Sequence, residues 1–301
     1  MTKKLLIIGG SGLVGSTLLE YADDYELHVT YNTNPFEKQN VQTSQLNLLD
    51  NEQDIIDLIK NLEPDVVINT VAHPSVDLCE KNPEIANNLH VKTTKIITDI
   101  CSKINSKLIY FSTDAVFDGK TDLKYVEKDL PNPINYYGLT KLNAEKIVLC
   151  EKNNVILRTS VIYGNHKKSR FTNWIIGNLI QNKIVDPHVD QFNTPTLVDD
   201  LAISILKIIS KDVSGLFHAT GKTCLNRYEF AKEISSQFGF DSKLILPVTS
   251  EQKKQEAPRP KKTCLDSSKL EKIIDYEFCD IKKGISFLVE NSHKLDYKKQ
   301  N

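Results

Sequence analysis

Lys3-Lys4-Leu5-Leu6-Ile7-Ile8 runs directly into Gly9-Gly10-Ser11-Gly12-Leu13-Val14-Gly15, and a helix-like stretch follows to about Ala22. Few local patterns restrict a chain so tightly. An apolar strand must turn sharply, and glycines allow both the turn and a close backbone approach to a ligand. The helix amino terminus then offers free N–H groups and a positive dipole end to a pyrophosphate. The spacing is Gly-x-x-Gly-x-x-Gly, distinct from the G-x-G-x-x-G dinucleotide fingerprint but sharing its physical logic. A signal peptide fits poorly: the apolar run is short, glycines break it, and no small-residue cleavage site follows. A plain strand–turn–helix without a ligand remains the simpler alternative.

The pattern continues as an alternation. Strand candidates at 4–8, 27–31, 66–71, 107–112 and 155–160 are separated by helical patterns at about 13–22, 51–61, 84–104 and 136–152. Such alternation builds right-handed βαβ units, so the expected fold is α/β, a Rossmann-like doubly wound parallel sheet. After Gly164 the alternation weakens: helices are expected at about 171–182, from Asp199, and at 227–238, with a strand at 215–219 and an irregular basic loop at 250–263. We read residues 1–164 as a dinucleotide-binding domain and 165–301 as mainly a smaller substrate lobe, with parts near 190–220 returning to the first domain. Asp199 and Asp200 are expected to cap their helix. Lys298–Asn301 reads as a frayed tail.

Ligands of such sheets lie beyond the strand carboxyl ends. The glycine turn, the loop after Val71 and Ser112-Thr113 all fall there. Downstream stands Asn135-Tyr136-Tyr137-Gly138-Leu139-Thr140-Lys141. Tyr137 and Lys141 are four apart, on one helical face, whereas Tyr136 is turned well away from Lys141. At roughly 5 Å and an effective dielectric of about 20, an ammonium favours phenolate by about 3 kcal/mol. That is enough to lower a phenol pKa from about 10 by about two, towards working pH, where it exchanges protons with a carbonyl oxygen. An ordinary amphipathic helix with a surface lysine is the competing reading.

Of 301 residues 40% are hydrophobic and 26% charged, with net charge −1, ample for a large core. The near-neutral balance argues against nucleic acid as the principal partner, and no apolar run is long enough to span a membrane. The six cysteines form no Cys-x-x-Cys pair, which points to reduced, buried thiols in a cytoplasmic protein and to no metal site. The seven scattered histidines read as structural. Only four arginines occur among 38 basic residues, inviting a search for bidentate anion binding. Arg158, in a strand-like run, is as readily a structural ion pair as a functional group. Arg259, between two prolines, either reaches a diphosphate or belongs to a solvated basic loop.

The second strand ends at Tyr31 and runs into Asn32-Thr33-Asn34, with no acid for an adenosine ribose; Asp23 and Asp24 come too early. The reading therefore favours NADP(H) over NAD(H), with Lys38 a loose candidate for a 2′-phosphate.

With these residues assembled, the chain resembles an extended short-chain dehydrogenase/reductase, and more narrowly the dTDP-4-dehydrorhamnose reductase family. The resemblance spans nearly the whole length. It rests on Ser112-Thr113-Asp114-Ala115-Val116-Phe117-Asp118-Gly119, Tyr137-Gly138-x-Thr140-Lys141, Arg158-Thr159-Ser160 with Tyr163-Gly164, Asp190-Gln191-Phe192 with Pro195-Thr196 and Asp199-Asp200-Leu201, and Arg259-Pro260. It implies that Tyr137 protonates a developing alkoxide, Lys141 tunes Tyr137 and holds the nicotinamide ribose, and Thr113 hydrogen-bonds the substrate oxygen. Implied cofactor contacts are Gly9, Gly12, Leu13, Val14, Gly15, Asn32, Asn47, Leu48, Val71, Ala72, Ser112, Tyr137 and Lys141. Asp114, Ala115, Val161 and Arg259 would border a nucleotide-sugar substrate, and a homodimer through the long helices is implied. The family usually has an aromatic at Ala115 and often a tryptophan at Val161; their loss bears on substrate identity more than on redox chemistry. Ala115 also stands where 4,6-dehydratases place a glutamate, which ranks dehydration low. Relatives similar to the β subunit of methionine adenosyltransferase make a non-catalytic NADP-binding regulatory subunit the alternative. An epimerase is a third option.

Overall fold

The computed structural model describes residues 2–73 and 75–292; the expected frayed tail at Lys298–Asn301 lies outside them. Six strands, β1 (Lys4–Ile8), β2 (Glu26–Tyr31), β3 (Val41–Gln45), β4 (Val66–Asn69), β5 (Lys107–Thr113) and β6 (Val155–Thr159), are joined by a last strand, Gly215–His218. They form one parallel sheet in the order β3-β2-β1-β4-β5-β6-last. Both faces of the central strands are covered, so β1, β4, β5 and β6 are buried without alternation. Leu5 and Ile7 join one core with Leu18, Leu201 and Ile205, whereas Leu6 and Ile8 join another with Ile55, Ile97 and Ala144.

The helices are α1 (Leu13–Leu18), α2 (Glu52–Leu62), α3 (Val76–Lys81), α4 (Pro83–Asn87), α5 (Thr93–Lys103), α6 (Tyr136–Val148), α7 (Arg170–Ile180), α8 (Val198–Ser210), α9 (Arg227–Phe238), α10 (Ser250–Lys253), α11 (Ser268–Ile274) and α12 (Ile281–Glu290). A third hydrophobic core packs α7, α9 and α12 around Tyr163, Ile176, Phe230, Ile234 and Ile285. Two small ladders, Phe192–Asn193 with Leu225–Asn226 and Ile162–Tyr163 with Thr196–Leu197, belong to this side of the molecule.

Three local expectations are corrected. β3 has no place in the sequence reading because, as an edge strand, it reads Val-Gln-Thr-Ser-Gln with no buried position. The continuous helix at 84–104 is interrupted by a π-turn at Asn88–Lys92. Asp199 and Asp200 are not caps. Leu197 holds the cap position of α8 without a side-chain bond, and the two carboxylates instead accept the hydroxyls of Tyr21 and Tyr276, each at 2.7 Å.

Candidate active site

The sheet register sets the site. Ile8 lies opposite Asn69, and Asn69 opposite Tyr110, so β5 runs three residues further before Thr113 pairs with Thr159. The strand order reverses between β1 and β4, the kind of switch point beyond whose strand carboxyl ends such sheets take ligands, and Thr113 ends the next strand over, β5. Gly9, Gly12, Leu13, Val14 and Gly15 form the turn into α1. Gly9 has φ +91°, and a Cβ on Gly15 would stand 2.6 Å from the Gly9 carbonyl oxygen and from Gly10 Cα. Val71 and Ala72 follow β4; the Val71 N–H donates to Asn69 Oδ1 at 3.1 Å. Asn32 is exposed just past β2, Leu48 is buried in the core with Leu46 and Ile55, and Asn47 is braced by Asp50 at 2.7 Å.

Asn135 caps α6. Its Oδ1 accepts the Gly138 N–H at 2.8 Å, and its Nδ2 donates to the Pro258 carbonyl at 3.0 Å. Gly138 lets α6 press on the short 3₁₀ turn at 114–116: a Cβ there would sit 2.2 Å from the Ala115 carbonyl oxygen. This approach brings Tyr137 to Thr113. Lys141, one turn on, is 1% exposed. Its Nζ lies 4.1 Å from the Tyr110 ring centroid and has no hydrogen-bond partner.

The next turn is opposite in character. Glu145 accepts Arg158 through two bonds, Nε at 2.9 Å and Nη2 at 2.7 Å, and also the Ser112 hydroxyl at 2.5 Å. Arg158 is therefore a structural ion pair, and the Ser112 side chain is committed to it. Asp114 is saturated as well: Oδ2 accepts Thr263 Oγ1 at 2.6 Å, Asn193 Nδ2 at 2.7 Å and Ser160 Oγ at 2.8 Å, while Thr113 donates to Oδ1 at 3.2 Å.

The electrostatics reverse one expectation. Burial raises the Tyr137 phenol above the ordinary tyrosine range, and Asp114 adds to this, while the neighbouring Thr113 hydroxyl acts in the opposite sense. Desolvation outweighs the attraction anticipated from Lys141, because the lysine is itself buried and its own pKa falls to about 7. Glu145 pulls Lys141 back towards the charged form without offsetting the burial. The site thus holds a protonated phenol, the form that can give up a proton.

The RmlD substrate binding domain family matches residues 3–293. The chain belongs to this family. It is 30% identical over 272 residues to a probable low-salt glycan biosynthesis reductase of Haloferax volcanii, covering 88% of this chain and 90% of that protein. It is 33% identical over 283 residues to the methionine adenosyltransferase 2 subunit beta of Xenopus laevis, covering 90% and 83%. The dTDP-4-dehydrorhamnose reductase of Bacillus anthracis, solved in complex with NADP, superposes with a TM-score of 0.85 at 26% identity over 97% of this chain and 100% of that one.

Within this RmlD frame, Ala115 is partly exposed beside Gly138. Val161 has φ +44°, strained for a β-branched residue, and its carbonyl accepts the Thr196 N–H at 3.2 Å. Arg259 is held by Asp77 at 3.0 Å and by the Ala257 carbonyl at 2.9 Å. Lys38 donates to the Leu19 carbonyl at the end of α1 and is committed there. Sequence reasoning missed three residues. Arg227 opens α9 with its guanidinium 5.1 Å from the Phe171 ring centroid, and burial lowers it to about 10, with Asp114 and Arg259 as its charged neighbours. Its rarity was the available signal. Glu145 and His90 gave none, because each acquires its role from partners on other elements. The reading of buried, reduced cysteines is corrected at three positions: Cys224 and Cys264, 40 residues apart, form a disulfide with Cα atoms 5.5 Å apart, and Cys150 is exposed. No Cys-x-x-Cys spacing announces a pair that only the fold brings together.

Proposed function

We propose that the protein is an NAD(P)H-dependent oxidoreductase that reduces the 4-keto group of a nucleotide-linked deoxysugar. The observation that carries this is the buried, unpartnered Lys141 Nζ one helical turn from Tyr137, with Thr113 opposite at the strand end. A buried ammonium without a partner is costly, and ribose hydroxyls supply what it lacks. The glycine turn leaves the N–H groups of Leu13, Val14 and Gly15 for a diphosphate. When bound, the dihydronicotinamide supplies the hydride.

This chain's residues supply the rest. Tyr137, protonated in its buried setting, gives its proton to the oxygen of the ketone as negative charge develops there. Thr113, whose bond to Asp114 is long, turns its hydroxyl to the same oxygen. Lys141 stabilises the phenolate left behind. Asp114 holds the Thr113 turn to the second lobe, and Arg259 with Arg227 takes the substrate's diphosphate. NADP(H) is favoured over NAD(H): no acid ends β2, and Lys167 and Lys168 line a cavity of about 400 Å³ that reaches Gly10 and Ser11, although Glu20 and Glu37 line it too. A homodimer through α5 and α6 completes the proposal, checked by its mass in solution.

The test is NADPH oxidation with a dTDP-4-keto-6-deoxy sugar and related nucleotide ketosugars. Tyr137→Phe is expected to lower kcat by about 10²–10⁴-fold while still binding NADPH. Equal turnover by wild type and variant across the panel would sink the catalytic reading. Co-purification with a methionine adenosyltransferase catalytic subunit, without ketosugar reduction, would replace it with the regulatory one, which the relative at 33% identity favours.

A further inference from the structure

His90 has no part in the chemistry above, yet it is 1% exposed and bears on the reacting helix twice. It sits mid-way along the π-turn Asn88–Lys92 that breaks the α4–α5 run. Such turns re-aim side chains and concentrate at functional sites. The His90 ring stands edge-on to the Tyr137 ring, with centroids 5.5 Å apart at 82°. Its Nε2 accepts the backbone N–H of His73, in the loop after β4, at 2.9 Å. A backbone N–H only donates, so Nε2 is bare and the ring hydrogen is on Nδ1. Nδ1–H therefore donates to Thr140 Oγ1 at 2.8 Å, and the Thr140 hydroxyl donates to the Tyr137 carbonyl at 3.0 Å. Burial and the nearby Lys141 keep His90 neutral, near a pKa of about 2, so this order does not reverse at working pH.

We propose that His90 is a positioning residue for the Tyr137 phenol. Through Thr140 it fixes the first turn of α6 to the loop carrying Val71, Ala72 and His73, so the acid and the cofactor side of the crevice keep one geometry. This rests on the reading of Tyr137 as the acid. A histidine that merely filled space would be replaceable by phenylalanine, which keeps the edge-on ring contact and loses both hydrogen bonds.

The experiment compares His90→Phe, His90→Gln, Thr140→Val and Thr140→Ser, and the double variant His90→Phe/Thr140→Val. His90→Phe and Thr140→Val are each expected to lower kcat by about 10–10²-fold, as a misplacement near 1 Å does. The Kd for NADPH should stay within about twofold, because the loss falls on the chemical step. Glutamine and serine, which can donate and accept, should recover most of the rate. The double variant should be little worse than either single one, because both break one chain of bonds. Unchanged kcat in both single variants, or additive losses, overturns the proposal. Crystal structures of wild type and Thr140→Val decide it without turnover: Tyr137 Oη should move relative to Thr113, and an unmoved hydroxyl overturns it. If wild type reduces no ketosugar while the hydroxyl still moves, the functional reading fails and the positioning role stands.

Discussion

The two halves of the cleft are built by different means. On the side proposed for the cofactor, Gly9 to Gly15 make one turn, and Tyr137 and Lys141 lie on one helix. The spacing within each of these devices is local, although α6 itself is seated by Tyr110, Ala115 and His90. On the side proposed for the substrate, Asp114 is held by Asn193, 79 residues on, and by Thr263, 149 residues on, and the Cys224–Cys264 disulfide ties down the segment bearing Thr263. Polar groups on this side are largely paired within the protein, whereas the cofactor side keeps a buried lysine without a partner. On the proposed reading, the first half gives up stability for chemistry, and the second uses long-range contacts for shape.

The sharpest way to break this contrast is Lys141→Met. Removing the charge proposed to hold the ribose and to stabilise the Tyr137 phenolate should lower kcat/KM by about 10²–10³-fold. Its stability effect should run the other way. Folded Lys141 loses its proton near pH 7 and the unfolded chain near 10.5. Between these values the unfolded state binds more protons, so wild-type stability gains from this residue as pH rises from about 7 to 10.5. The variant should lack that gain and be the more stable of the two at pH 6, as read by urea denaturation without cofactor. An identical pH slope in both proteins would show that Lys141 is not buried as a desolvated cation.

The same contrast governs how much the sequence could disclose. Gly-x-x-Gly-x-x-Gly after an apolar strand, and Tyr137 four residues before Lys141, are local devices with local spacing, and the sheet they imply is the one observed. β3 was hidden because a solvated edge strand carries no apolar pattern. The disulfide, the Asp114 hub and the Glu145–Arg158 pair are contacts between elements, and nothing in the spacing of their members points from one to the other. The phenol's acidity was misjudged for a related reason: the i, i+4 spacing gives the attraction, but only the packing of Tyr110 and the Thr113 turn over that helix face gives the larger desolvation.

If long-range ties shape the substrate side, cutting one should cost stability and sugar affinity together. Cys224→Ser opens the 40-residue link and should destabilise the protein by about 2–4 kcal/mol. Loosening the Arg259–Thr263 segment should raise KM for the ketosugar while leaving the Kd for NADPH within about twofold. An equal loss for both ligands would mean that the halves are not separable.

Arg227 gives the smallest and most discriminating test, because it breaks the rule of its own half. It is a cation at the first position of α9, where the helix dipole disfavours positive charge, and burial already lowers its pKa to about 10. Its charged neighbours are one acid, saturated by other donors, and a second arginine. A side chain kept there for stability would have been placed badly; one kept for an anion is placed well. Arg227→Met should therefore leave the apo protein as stable as wild type or more so, by up to about 1 kcal/mol. It should weaken binding of dTDP by about tenfold, a difference near 1.4 kcal/mol, and reduce the salt dependence of that binding. Titration calorimetry at two salt concentrations, beside thermal denaturation without ligand, separates the outcomes. If the variant unfolds more easily and binds dTDP as before, Arg227 is a packing residue stacked on Phe171, and the substrate side has no counterpart to Lys141.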